Sequence, residues 1–493
     1  MATIDFPRHA TSHQQVSAWR TQAYLEGLLN GSHERFVVPV FLYCNLLLFT
    51  YLLTPSLKGP VVRYGVFAGN FAVQLWTILN CRSPYPVFGL IIGFFCGWNI
   101  LWSANLLVFN NARDRFKKIK RVSADKYEWQ SLPRDSLITR LGWAADLVFN
   151  SRGIGWDWKV SGEPSRPPQV EASLRQIDLA EATKEDRPKI SSGRVRYDER
   201  SKAISHYVWV VVQGYLWLDG LKTITNRDPY FWGILDAPPP ASLPTIITAS
   251  PTMTAAYRIT IALLFVWQAL NLSFAIPQLL LLGLFTPETA GTNAEAWLYP
   301  DQFGDVSTIP TRGLAGFWGG FWHHLFRHSF QSSARALSKV LGLKPKSPEG
   351  AGIELITSFN LSGILHTAAS MTMLGPTQPW FKMYAFFALQ PVGILAEVIY
   401  SHYVGRSSFG KKIPKVVSYT SHIAWTCFWL FITGQLLAHE LTTGGVFLYE
   451  PVPFSIFRGL GFGAPGDTLY CWSDLALSWH YDSKRPWLSG IVI

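Results

Sequence analysis

The chain has 493 residues, of which 48% are hydrophobic, 15% aromatic and 15% charged, with a formal net charge of +11. Ordinary soluble proteins are roughly 25% charged, and here the apolar residues also come in long uninterrupted runs, which excludes a soluble globular class. The basic residues lie in loops between those runs, so membrane topology explains the positive charge better than nucleic-acid binding does.

Eight apolar runs have about the 17–25 residues that a helix needs to cross a bilayer. In chain order they are Phe36–Thr54, Val61–Leu79, Pro86–Phe109, Ser205–Ile224, Ile259–Phe285, Gly352–Leu374, Trp380–Tyr400 and Val416–Ala438. A shorter run, Val446 to Leu460, contains two prolines and is open as a ninth span, a re-entrant piece or an interfacial loop. The sequence therefore predicts an all-α, polytopic membrane helix bundle with eight or nine transmembrane helices.

These runs divide the chain into a polar N-terminal segment (1–35), the first three spans (36–109), a long basic loop (110–204) and a C-terminal helical core (205–493). The long loop holds 20 of the 43 Lys and Arg residues, and its interior near "SGEPSRPPQVEAS" is expected to be irregular. Alternating spans place it on the same side as the basic stretches 335–346 and 406–415, which predicts the cytosolic side. We expect an integral protein of the endoplasmic reticulum, with the first apolar run as an uncleaved signal-anchor.

A histidine inside a predicted span is costly and is therefore a functional candidate. His366 lies near the middle of the sixth span, and Ser362, His366 and Ser370 share one helix face at a spacing of four residues. An imidazole there suits a general base at neutral pH, and a histidine that serves packing alone remains an equal alternative. Glu397 and Asp219 lie near the ends of their spans, and we favour structural roles for both.

The stretch "FWGGFWHHLFRHSF", Phe317 to Phe330, combines aromatic and basic residues. On a helical wheel its aromatic side chains cover one half, while His323 and Arg327 lie on the other, with His324 and His328 beside them. This pattern predicts one amphipathic or half-inserted helix. His324 and His328 have no third ligand nearby in the sequence, so we expect no metal site. A lipid-surface helix and a catalytic lip facing His366 both remain open.

Two motifs in the correct order resemble those of a known family. "FWGGFWHHLFR" followed about forty residues later by "SGILH" is similar to the signature of the wax synthase-like branch of membrane-bound O-acyltransferases. "EAWLYPDQFGD" looks like the segment that these proteins place just upstream, and "RGIGWDWKV" is similar to a motif of the fungal members. Those fungal members include O-acetyltransferases of terpenoid and meroterpenoid biosynthesis. The resemblance implies an MBOAT-like bundle with its acyltransferase core in residues 205–493.

The resemblance also implies site residues. His366 matches the family's membrane-embedded histidine, and His323 matches the His or Asn of the first motif, which makes both catalytic candidates. The candidates for binding substrate or CoA are Trp318, Trp322, Arg327 and Ser362. Gly320 stands where the family usually has Arg, so Arg327 or a loop residue is expected to replace that side chain in binding the donor.

The implied reaction moves an acetyl group from acetyl-CoA, as co-substrate, to a hydroxyl of a hydrophobic terpenoid or meroterpenoid. His366 takes the hydroxyl proton, and His323 or the indole N–H of Trp322 donates to the oxyanion. Beyond acyl-CoA, the alcohol and the lipid bilayer, no nucleic acid or bound cofactor is expected. The alternatives are a long-chain wax or sterol ester synthase, and a non-enzymatic transporter that uses His366 and Glu397 as a proton relay.

Overall fold

A computed structural model describes residues 5–123, 125–190, 192–344, 347–407, 412–472 and 478–492; Lys346 and Lys411 of the predicted basic stretches lie outside these ranges. Helices dominate the described chain. In order, they are α1 (His13–Asn30), α2 (Val38–Leu53), α3 (Pro60–Asn80), α4 (Pro86–Ser103), α5 (Ala112–Arg115), α6 (Leu137–Phe149), α7 (Pro168–Arg175), α8 (Leu179–Glu185), α9 (Arg200–Thr225), α10 (Thr245–Thr248), α11 (Pro251–Leu284), α12 (Pro287–Ala290), α13 (Thr308–Gly316), α14 (Arg327–Val340), α15 (Pro348–Met371), α16 (Ala385–Arg406) and α17 (Lys415–Thr443).

Each of the eight predicted spans coincides with one of these helices: α2, α3, α4, α9, α11, α15, α16 and α17. Proline within the first two helical positions begins α2, α3, α4, α11 and α15, where its missing N–H group costs no hydrogen bond. Among the residues that the structure describes, three helical stretches are long and apolar enough to cross a membrane: Pro86–Phe109, Pro251–Leu284 and Trp380–Val404. The count of eight or nine spans stays a prediction.

The candidate ninth span does not form a long helix. Residues 446–460, all of which the structure describes, contain a single 3₁₀ turn, Val446–Leu448, and then irregular chain up to a π-helical turn at Arg458–Phe462. Val446, Phe447 and Leu448 are nevertheless buried. Core packing therefore explains the apolar character of the first part of this run, whereas Phe454, Ile456 and Leu460 farther along are exposed.

The long loop, residues 110–204, has more regular structure than its polar composition predicts. It contains an antiparallel hairpin of two strands, Lys118–Ser123 and Lys126–Gln130, together with α6, α7 and α8. The expectation of irregular chain near "SGEPSRPPQVEAS" is wrong for its second half, because α7 begins at Pro168. Trp143 and Trp156 are almost fully buried with residues of α2 and α4, so the loop is packed onto the bundle.

Helix α15, which carries His366, lies in the middle of the bundle against α4, α14 and α16. Small residues allow α15 to pack closely against these neighbouring helices. A side chain at Gly97 of α4 would meet Leu365 at 3.1 Å, and one at Gly363 would meet the Tyr384 ring at 2.8 Å. Glycine at these two positions thus permits close helix packing. Close contact on both sides fixes the position of His366.

Candidate functional site

The aromatic–histidine stretch is broken in its middle, so the prediction of one amphipathic helix is wrong. Phe317–Phe321 forms a π-helical turn, residues 322–326 are not helical, and α14 starts at Arg327. At Trp322 the backbone turns to an extended conformation, with φ −65° and ψ 154°. Glycine explains the break, because Gly319 and Gly320 in "FWGGF" weaken helix propagation. The wheel assumed 100° per residue throughout and therefore placed His323 and Arg327 on one face incorrectly.

The backbone carbonyls at this break, which a helix end leaves without partners, are hydrogen bonded from three directions. Nε2 of His324 lies 3.2 Å from the Gly319 carbonyl oxygen, and the Gly304 N–H donates to the Phe321 oxygen at 2.7 Å. The guanidinium of Arg194, in the long loop, donates to the Gly320 and Trp322 oxygens at 2.9 and 2.6 Å. His324 therefore caps this helix end in the tautomer whose Nε2 carries the proton, and in that tautomer Nε2 accepts no hydrogen bond from Arg327.

Seven aromatic side chains form a closed ring of contacts that includes both candidate histidines. In order around the ring, they are His366, Phe387, Trp318, Trp322, His323, Phe326 and Phe94, which contacts His366 again. Successive ring centroids are separated by between 4.1 Å, for His366 and Phe387, and 6.3 Å, for Phe387 and Trp318. The helix break and α15 thus bring the two predicted histidines to one aromatic cluster.

His366 has a defined tautomer. Its Nδ1 lies 2.7 Å from the backbone oxygen of Ser362, one turn earlier on α15. Since a carbonyl oxygen accepts and never donates, Nδ1 carries the proton and Nε2 carries the free lone pair. Among the residues that the structure describes, none hydrogen bonds to Nε2. A neutral imidazole held in this way can accept a proton at Nε2.

The other predicted site residues are divided between the ring and its surroundings. The indole N–H of Trp318 donates to Gln390 at 3.2 Å, whereas in the described chain the indole N–H of Trp322 has no such bond. Ser362 contributes its backbone oxygen to His366, and the Ser370 hydroxyl donates to Glu440. Trp322 thus keeps a free donor beside His323, while Ser370 has a structural partner.

Arg327 lies outside the aromatic ring and faces the long loop. Its Nη1 is 3.2 Å from Nε2 of His324, and a side chain at Gly162 of the loop would meet Nη1 at 3.5 Å. The other ring nitrogen of His324, Nδ1, lies 3.9 Å from a carboxylate oxygen of Glu163. The second carboxylate oxygen of Glu163 lies 3.2 Å from Nη1 of Arg152. Arg327 therefore belongs to a buried charge network between the motif and the loop.

His328, which was considered with His324 as a metal ligand, packs against a different part of the protein. Its ring lies 4.3 Å from that of Trp158, in the long loop. Within the described ranges, no group of three or more His, Cys, Asp or Glu side chains is arranged to hold a metal ion.

Sequence reasoning missed the arginines of the loop and two members of the ring, Phe94 and Phe387. Arg152 donates to the backbone oxygens of Pro300 and Asp301 at 3.0 Å each, and thereby joins "RGIGWDWKV" to the "YPDQFGD" segment. The resemblance had marked both segments, although it did not indicate their contact. Phe94 carries no sequence signal beyond its place in an apolar run.

At Gly320, where the family usually has Arg, an arginine from the preceding helix fills the space. A Cβ atom at this position would meet Nη2 of Arg312, and would lie 2.8 and 2.9 Å from Cβ and Cγ2 of Thr308. The guanidinium of Arg312, on α13, therefore lies where a side chain at position 320 would begin. Arg312 is an exposed residue and was not among the predicted site residues.

We expect Gly320→Ala to destabilise the protein by about 1–3 kcal/mol, because a methyl group overpacks the contact with Thr308. Gly319→Ala is the matched control, since a Cβ atom there meets nothing within 4 Å. The thermal unfolding midpoint of each purified variant in detergent measures the difference. Equal midpoints for the two variants would contradict the crowding at Gly320.

Glu397 and Asp219 both bind backbone, in agreement with the structural roles favoured for them. The Glu397 carboxylate accepts the N–H groups of Leu314 and Ala315 at 3.2 and 3.1 Å. The Asp219 carboxylate accepts the Ser455 hydroxyl and, at 3.1 Å, the Phe457 N–H. Each carboxylate thus satisfies donors of a neighbouring segment.

Comparison with known proteins points to one family. Residues 299–389, which include both histidines of the ring, match the sequence model of the membrane bound O-acyl transferase family. Acetyltransferase ple2 of Rhodocybe pseudopiperita is 28% identical over 271 residues, a match that covers 53% of this chain. The chain spans 57% of the length of that relative. Residues 299–389 of this chain are thus similar to the membrane bound O-acyl transferase family, and about half of the chain is similar to an acetyltransferase.

Proposed function

We propose that the protein is a membrane-bound O-acetyltransferase that moves an acetyl group from acetyl-CoA to a hydroxyl group of a hydrophobic terpenoid or meroterpenoid. The observation that carries this proposal is the geometry of His366, whose Nδ1–H is held by the Ser362 carbonyl while Nε2 keeps its lone pair. The segment that contains it matches an acyltransferase family, and a relative is named an acetyltransferase.

In the proposed reaction, Nε2 of His366 accepts the hydroxyl proton while the alcohol oxygen attacks the thioester carbonyl. The oxyanion that forms is stabilised by N–H donors, for which the Trp322 indole and His323 are the candidates. Collapse of the intermediate breaks the carbon–sulphur bond, and the CoA thiolate takes the proton back from His366. Donor and acceptor must therefore be bound together, and no acyl-enzyme is formed.

The basic groups near the motif suit an anionic donor. Arg312 and Arg327 lie on either side of the helix break, and we assign them to the CoA phosphates in place of the arginine missing at position 320. The proposed topology has eight spans, with the long basic loop on the cytosolic side, where CoA is found. The hydrophobic alcohol reaches the aromatic ring from the bilayer, and the endoplasmic reticulum is the proposed location.

Membranes that contain the protein test this proposal when they are incubated with acetyl-CoA or palmitoyl-CoA, each with a terpenoid alcohol or a fatty alcohol. We expect an acetyl ester of the terpenoid alcohol, detected by mass spectrometry, and at most a trace of palmitoyl ester. A long-chain ester as the main product would instead identify a wax or sterol ester synthase. A lack of any CoA-dependent product, with the protein present, would contradict acyl transfer altogether.

A further inference from the structure

Two arginines of the long loop, Arg194 and Arg196, lie two residues apart and are both buried, with exposures of 0% and 4%. Their partners differ completely. Arg196 binds the carboxylates of Asp186 and Asp198 and the Ser165 oxygen, which all belong to the loop itself. Arg194 leaves the loop and binds the helix break of the aromatic–histidine stretch. Arg196 therefore stabilises the loop itself, whereas Arg194 connects the loop to the candidate site.

Arg194 binds the backbone oxygens of the residues before and after Phe321, where the π-helical turn ends. Nη1 donates to the Gly320 oxygen at 2.9 Å, and Nη2 donates to the Trp322 oxygen at 2.6 Å. A third oxygen, that of Gln302, lies 3.4 Å from Nη2. Burial lowers the pKa of Arg194 to about 10, so the group remains charged at neutral pH. A cation at the carboxyl end of a helix also interacts favourably with the helix dipole.

The chain around Arg194 is fixed against the same bend. The Asp305 N–H donates to the Ser192 oxygen at 2.7 Å, and the Gly304 N–H donates to the Phe321 oxygen at 2.7 Å. Gly193 adopts φ +77°, where a side chain would collide with Asp305. Glycine at this position therefore lets the loop approach closely enough for Arg194 to reach the carbonyls.

We infer that Arg194 is a positioning residue that sets the bend at 320–322 and thereby aims the Trp322 indole and the His323 imidazole into the aromatic ring. This inference rests on the proposed function in one respect, that Trp322 and His323 serve acyl transfer. Loss of the guanidinium leaves the carbonyls of Gly320 and Trp322 without their buried donors, next to two glycines that do not hold a helix end by themselves.

The kinetic test compares Arg194→Met with Arg196→Met in membranes with equal amounts of protein. We expect Arg194→Met to lower kcat by roughly 10²-fold, since a displacement on the order of 1 Å has that effect, with little change in KM for acetyl-CoA. Arg196→Met should keep kcat within about threefold of the wild type. Arg194→Lys should recover part of the loss, because an ammonium group donates to one carbonyl but lacks the planar fork. Equal kcat values for the two Met variants would overturn the inference.

Hydrogen exchange of the purified protein in detergent provides a readout that does not depend on activity. Arg194→Met should raise exchange at the amides of Gly304 and Trp322, whereas Arg196→Met should raise it at Ser165 and Arg187, which bond to each other. Unchanged exchange at Gly304 and Trp322 would overturn the inference. A wild-type protein without acyl transfer would contradict the proposed function, and the exchange comparison would still decide whether Arg194 holds the bend.

Discussion

Membranes with the His366→Ala variant are expected to lose acetyl transfer by roughly 10²–10⁴-fold, the usual contribution of a general base, while the protein accumulates normally. The loss is expected because alanine has no nitrogen lone pair to accept the hydroxyl proton in place of Nε2. His366→Gln should lose as much, because an amide fills similar space yet accepts no proton at neutral pH. Ester formation from acetyl-CoA, normalised to immunodetected protein, measures both variants.

His439→Ala is the matched control for His366. His439 also lies in a helix of the bundle, α17, and contacts an aromatic ring, that of Tyr230, at 5.9 Å. It is outside the closed ring of seven side chains, so its removal should leave the rate of transfer within about twofold. Retained turnover in His366→Ala would remove this residue from the mechanism, and a comparable loss in His439→Ala would point to general destabilisation.

The helices of the bundle were predictable because each coincides with an apolar run whose ends are marked by prolines or polar residues. The run from Pro86 forms a helix that starts at that proline, as its sequence indicates. The bend at Trp322 was not predicted, although "GLAGFWGG" has four glycines in eight residues. A wheel assumes a constant helical angle, so it fails where a π turn and an extended residue interrupt the helix.

The contacts of the long loop were less predictable, for a physical reason. Arg194 binds backbone carbonyls, which every residue has, and so do two of the three bonds of Arg152, the third going to Glu163; the sequence therefore does not indicate where these arginines meet the motif segments. The buried tryptophans of the loop, Trp143 and Trp156, were a usable signal, because bulky aromatic residues in a polar loop need a surface to cover them. That signal predicts docking of the loop without specifying where it docks.

Glu397→Ala is expected to destabilise the protein strongly. Its carboxylate binds the N–H groups of Leu314 and Ala315, and each buried N–H left without an acceptor costs about 1–3 kcal/mol. The unfolding midpoint in detergent should fall, and less protein should accumulate. Glu354→Ala is the matched control, because this partly exposed carboxylate accepts a single bond, from the Gln331 side chain at 2.8 Å, and should have a much smaller effect.

The same variant separates the proposed enzyme from a proton-coupled transporter. Helix α13 is interrupted at Gly313, with φ +57°, and the chain restarts as a helix at Leu314 with Glu397 at its amino end. Arg194 binds the carboxyl end of that same short segment. A negative carboxylate thus lies at its amino end and a positive guanidinium at its carboxyl end, which is the arrangement of charges that the helix dipole favours. Glu397 then acts through stability, and Glu397→Gln, whose amide oxygen still accepts one N–H, should retain most acetyl transfer per folded molecule. Normal stability of Glu397→Gln together with loss of proton-dependent uptake in vesicles would support the transporter instead.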